Sequence, residues 1–67
     1  MIVFAGDFVR RGEDWFRVID TDSWMKVKLD NGNWITADEE DIDELLSEKE
    51  YIQRFGGDNV VLFEDMS

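Results

Sequence analysis

The clearest alternation in the chain runs from Trp24 to Ile35, reading WMKVKLDNGNWI. Met25, Val27 and Leu29 alternate with Trp24, Lys26 and Lys28, which is the period of two of a half-buried strand. Asp30-Asn31-Gly32-Asn33 follows, and Trp34-Ile35-Thr36 resumes strand composition. Asn-Gly between two such runs predicts a hairpin. Its register decides what faces out. A loop of Asn31-Gly32, or of 30–33, pairs Leu29 with Trp34 and turns Trp34 into the core. A loop of Asp30-Asn31-Gly32, with Gly32 as a left-handed bulge residue, turns Ile35 inward and Trp34 outward. The second register is favoured, because a β-branched aliphatic suits a small core and an indole can cover the lysine face opposite.

Shorter patterns flank the hairpin. Met1 to Ala5 is apolar without alternation and predicts a short buried strand, punctuated by Gly6-Asp7. Phe8 to Arg11 continues extended, and Gly12-Glu13-Asp14 is a turn. Trp15 to Asp20 predicts a strand with Phe16 and Val18 on one face and Trp15, Arg17 and Ile19 on the other. Asp20-Thr21-Asp22-Ser23 is a second turn, rich in side chains that bond their own backbone.

Past the hairpin the period becomes helical. Thr36-Ala37-Asp38-Glu39 reads as a capping box, with acidic residues crowding the first turn where the helix dipole favours them. Ile42, Leu45 and Leu46 form one apolar stripe, and Tyr51, Ile52 and Phe55 form a second, rotated cluster. One helix over about 38–55 is expected, wrapping or breaking near Ser47. Arg54 sits in its last turn and Gly56-Gly57 ends it. Val60-Val61-Leu62-Phe63 predicts a last strand near 59–64. The expected fold is one small, mainly β domain: a β-barrel or strongly curled antiparallel sheet, with one helix in the C-terminal half and a final short strand. The expected core is Val3, Phe8 or Val9, Phe16, Val18, Met25, Val27, Leu29, Ile35, Ile42, Leu45, Leu46, Ile52, Val61 and Phe63.

Composition narrows the function. A chain of 67 residues buries little surface, and its five Phe, three Trp and one Tyr supply much of the apolar area. There is no Cys and no His. Disulfides, thiolate metal sites and the commonest acid–base group are thereby excluded. No nucleophile–base pair and no phosphate loop is visible, so no catalytic residue and no cofactor is expected, and the protein is expected not to be an enzyme. Asp20-x-Asp22 and the 38–44 cluster carry oxygen ligands but lack the spacing of a calcium loop, so no metal is expected. The net charge of −10, with 17 acidic against 7 basic residues, opposes direct binding to nucleic acid or to anionic membranes. Without a signal-like or membrane-length apolar run, a cytoplasmic protein is expected.

Four segments carry a family resemblance: Gly6-Asp7-x-Val9, Trp15-x-Arg17-Val18-Ile19, Val27-x-Leu29-Asp30-Asn31-Gly32 and Asp41-Ile42-Asp43-Glu44-Leu45. Together they resemble an SH3-like barrel of the Tudor or KOW type, over about residues 5–46. The resemblance implies a "GDxV" strand, two further strands and a hairpin leading to a short acidic turn. It also places Ile35 inward. The tail from Glu48 to Ser67 extends past the minimal barrel, as a closing strand after a longer helix or as an extra layer.

Two candidate sites follow. The resemblance implies an aromatic cage for a cationic or methylated peptide, held by cation–π attraction. Trp15 stands where one wall would be, and Trp34 stands near if it faces out. Arg10, Arg11, Asp30 and Asn31 occupy the places of the other walls, and the plainer reading is that the indoles are core or cover strand edges. The second site is the acidic run Asp38–Glu50, in which eight of thirteen residues are acidic. Asp38, Glu39, Glu40, Asp41, Asp43 and Glu44 would supply the field and Trp34 the apolar anchor of a face that docks on a basic partner protein. Such a face can mimic nucleic acid and inhibit a protein that binds it. Here the plainer reading is a solvated helix face. Small acidic domains of this sort suggest, by analogy alone, a phage or mobile-element origin.

Overall fold

The computed structural model describes residues 1–23 and 25–56. Trp24 and the strand expected near 59–64, with Val61 and Phe63, lie outside the described residues. Five strands, β1 (Phe8–Arg11), β2 (Asp14–Thr21), β3 (Lys26–Leu29), β4 (Trp34–Thr36) and β5 (Glu44–Leu46), are followed by one helix, α1 (Glu48–Phe55). They form an open antiparallel sheet in the order β4-β3-β2-β1-β5. The fold is mainly β, as the alternation predicts. Among the described residues no helix is long and apolar enough to cross a membrane.

β2 belongs to both halves of the sheet. Its first residues pair with β1 and its last with β3. Between Val18 and Asp20 the register slips by one residue at Ile19. A bulge of this kind bends and twists the strand, so one face of the sheet curls around a single cluster. That cluster holds Val9, Val18, Val27, Leu29, Ile35, Ala37 and Ile42, with Val3, Phe16 and Leu45 packed against it. The pairs Val9–Phe16, Val9–Leu45, Val18–Leu29 and Val27–Ile35 stand directly opposite one another, as residues of one face must.

The hairpin takes the favoured register. Lys28 lies opposite Trp34 and Val27 opposite Ile35. The amide of Gly32 donates to the Leu29 carbonyl at 2.9 Å, and that of Leu29 to the Asn33 carbonyl at 2.8 Å. Gly32 has φ +91°, a conformation a side chain would strain, and the three-residue loop requires it. Ile35 is accordingly buried and Trp34 is 46% exposed.

Three expectations are corrected. Met1–Ala5 is not a buried strand. The Phe4 amide donates to Asp7 Oδ2 and the Asp7 amide to the Phe4 carbonyl. This turn leaves Ile2 75% and Phe4 66% exposed, and only Val3 of the run reaches the core. Met25 is not core either. The β3 ladder begins after it, Met25 has φ +60° and is exposed, and the buried place opposite is taken by Ala37, whose amide donates to the Met25 carbonyl.

The third correction is the helix, which spans 48–55 and not 38–55. Thr36 ends β4 and is no N-cap. Its amide donates to Asp41 Oδ2 at 2.8 Å, and residues 38–42 make one isolated turn closed on the Asp38 carbonyl. Ile42 plugs the core from that turn. Leu45 and Leu46 belong to β5, opposite Val9 and Phe8 respectively, so they face opposite sides of the sheet. The capping box that operates is Ser47 with Glu50. Ser47 Oγ accepts from the Glu50 amide and Glu50 Oε1 from the Ser47 amide. Gly56 caps the C-terminus, donating its amide to the Ile52 carbonyl.

Candidate functional site

The acidic residues proposed for partner binding lie in the β4–β5 connection and the start of β5, not along a helix face. Most of them hold that connection in shape. Asp38 Oδ1 accepts from the Glu40 amide at 3.0 Å. Asp41 bonds the Thr36 amide through its side chain, and its carbonyl accepts from Arg11 Nε at 3.0 Å. Asp43 Oδ2 accepts from the Gly12 amide at 2.7 Å, and its own amide donates to the Arg10 carbonyl at 2.8 Å. These bonds tie the connection to the β1–β2 turn.

Glu44 is committed to ion pairs with Arg10, at 3.2 Å, and with Arg54. The Arg54 guanidinium, hydrogen-bonded to the carboxylate, holds Glu44 below the usual glutamate range; Arg10 adds to this and partial desolvation opposes it. Glu39 and Glu40 are left at the outer rim of the connection, fully on the surface. Trp34 stands on the outer face of β4. Its neighbours across the strand and along it are Lys28 and Thr36, and Lys26 Nζ donates to Thr36 Oγ1 at 3.0 Å. The surface therefore carries two exposed carboxylates in the β4–β5 connection and, on β4 itself, an exposed indole opposite Lys28.

Trp15 is elsewhere. It lies on the outer face of the β1–β2–β5 half, opposite Arg10, and is covered by α1. Its ring meets Tyr51 edge-on at 5.6 Å and Phe55 at 5.5 Å. Tyr51 stacks on Phe8 with centroids 3.9 Å apart and an interplanar angle of 11°. Arg17 lies over the Phe8 ring at 5.5 Å and pairs with Glu48 at 3.3 Å. Trp15 and Trp34 thus sit on opposite halves of the sheet and do not wall one cage. This aromatic–ionic cluster was the part of the molecule that sequence reasoning missed. Its signals were the outward parity of Phe8 and the spacing of four between Tyr51 and Phe55, behind a second capping box.

Among the described residues no three carboxylates converge as a metal-holding group. Asp20 and Asp22 instead accept from backbone amides of Thr21 and Lys26. The class that fold and site define is a small antiparallel β domain with an acidic connection. Comparisons with family models, curated proteins and solved structures find no match.

Proposed function

We propose that the protein is a non-catalytic, cytoplasmic protein-binding module of SH3-like barrel architecture. It presents Trp34 and the acidic β4–β5 connection to a basic surface of a partner protein. The barrel reading is supported by the strand order β4-β3-β2-β1-β5, by the long bent β2 shared between the halves, and by the single helical turn before β5. The observation that carries the binding reading is the exposed Trp34 indole on β4, the strand that leads into a connection whose carboxylates Glu39 and Glu40 have no structural bond among the described residues. Buried aromatic anchors ringed by charge are the usual centres of protein interfaces. Net charge of −10 steers such a module to cationic surfaces. In its sharper form the partner is a nucleic-acid-binding protein and the module its inhibitor.

The test is capture of partners on the immobilised protein, followed by binding of the captured protein to the variants Trp34→Ala and Glu39→Gln/Glu40→Gln. The indole variant should weaken binding at least tenfold, equivalent to about 1.4 kcal/mol. The double variant should slow association and flatten its salt dependence. Unchanged affinity and salt dependence in both variants would leave the connection a solvated turn and end the proposal.

A further inference from the structure

The cluster under α1 has a property the binding site at Trp34 lacks: it already has an occupant. The sheet and the helix pack through separate sets of residues. The aliphatic cluster draws its buried members from residues 9–42 and includes no residue of α1. No α1 residue is fully buried, and its Phe55 is 48% exposed. An eight-residue helix is too short to persist in water by itself. Its helicity depends on the seat it occupies and on its two caps.

That seat has the features of a helix-binding groove. Its floor is Phe8, which Tyr51 stacks upon, and its wall is Trp15, which both Tyr51 and Phe55 meet edge-on. Arg17 faces the carboxylate of Glu48 at one end. At the other end Glu44 takes Arg54. The groove therefore reads a pattern along a helix: a carboxylate, an aromatic three residues on, and a second aromatic four beyond that.

We infer that the outer face of β1, β2 and β5 is a helix-binding groove, occupied in cis by α1, that accepts in trans a partner helix with this acidic–aromatic–aromatic pattern. Anchors at such spacings define helix-in-groove recognition. The cis helix competes at the high effective concentration of a tethered ligand, so a trans helix binds the intact protein more weakly by the fraction of time the groove is free.

The experiment uses the full chain in the variant Tyr51→Ala/Phe55→Ala and a synthetic peptide with the sequence of residues 47–56. Titration is followed by the Trp15 indole and Phe8 amide resonances. The expected result is a saturable shift in the variant, with affinity at least about tenfold higher than for the unaltered protein. A peptide carrying the same two alanines should give no shift. Absence of saturable shifts at millimolar peptide, with the sheet spectrum intact, overturns the inference. So does loss of the sheet spectrum in the variant, because the groove would then not outlast its occupant. A second measurement needs no variant. In the unaltered protein the Tyr51 and Gly56 amides, bonded to the Ser47 and Ile52 carbonyls, should exchange at least tenfold faster than those of Val18 and Leu29. Equal exchange with equal denaturant dependence would make α1 an inseparable part of the core and overturn the inference as well.

Discussion

The two faces of the β1–β2–β5 half are packed by opposite chemistries. Inside, Val9 belongs to a buried aliphatic cluster against which Phe16 and Leu45 pack, and among the described residues no polar or charged residue is buried. Outside, Phe8 and Trp15 meet the helix through ring contacts, and Arg17 and Glu44 through ion pairs, with Arg10 pairing to Glu44 beside them. The inner contact is dry and close, and its strength lies in area removed from water. The outer contact is half-wet, so its ion pairs contribute little individually and its ring pairs about 0.5–1.5 kcal/mol each. The lesson is that one two-sided sheet can carry two layers of different chemistry, an aliphatic one on one face and an aromatic and ionic one on the other.

Four changes sharpen or break this contrast. The largest effect is expected from Leu29→Ala, since Leu29 is wholly buried. It should lower global stability by about 2–5 kcal/mol in urea unfolding, with all probes moving together. Tyr51→Ala removes the stack on Phe8 and the edge contact with Trp15. We expect a loss of about 1–3 kcal/mol, seen first in Trp15 fluorescence, while exchange protection of the Leu29 amide is retained. If Leu29 loses protection in parallel, the two layers are one. Ser47→Ala removes the N-cap bond to Glu50 and should cost about 1 kcal/mol, read as reduced helical ellipticity with unchanged sheet resonances.

The smallest effect is that of acid. Glu44 is held below its ordinary value by Arg54 and Arg10, and Glu50 by hydrogen bonds from the Ser47 backbone and side chain. A lowered folded value means the carboxylate contributes its stability fully above the ordinary glutamate value of 4.5. That contribution is lost as pH falls below it through the depressed value. Both groups are exposed, so the change is modest. It falls on the outer layer, and α1 amide exchange should quicken on acidification before that of Val18. Simultaneous loss at both sites would contradict the contrast.

Legibility in the sequence follows the same division. The hairpin could be read because Asp30-Asn31-Gly32 is turn chemistry that acts locally, whereas its register stayed a choice between two loop lengths of which the three-residue one was favoured. Val18, Val27 and Leu29 followed from alternation, Val9 only as one of two choices with Phe8, and Ile35 only through the favoured loop register. The stretch 36–46 could not be read, because two grammars overlap there. Ile42, Leu45 and Leu46 have helical spacing, and Thr36 with Glu39 imitates a cap. Yet the Thr36 amide prefers the Asp41 carboxylate, and β5 is claimed by β1, a partner far away in the chain. Tertiary pairing overrode a local signal that was sound in itself. The run Met1–Ala5 failed for another reason: apolar composition without period says nothing about which side chains find a neighbour, and a turn at Asp7 decided it. Of the candidate site, the outward Trp34 was the favoured of two orientations. The structural duties of Asp43 and Glu44 were not legible, since their partners Gly12 and Arg10 are brought near by folding, and those of Asp38 and Asp41 were masked by the helical reading of the same residues.

The pairing of β5 with β1 also sets an order in time. Arg10 and Glu44 are 34 residues apart in the chain, and closing so long a loop is slow compared with forming the β3–β4 hairpin, a matter of microseconds. Only Ser47 separates β5 from α1, so the helix reaches Phe8 and Trp15 through the same long loop closure that brings in β5. We expect α1 to dock no earlier than β5 and to be the first element to leave. Lesions at Tyr51 should accordingly hasten unfolding and leave the refolding rate nearly untouched, whereas lesions at Leu29 should slow refolding too.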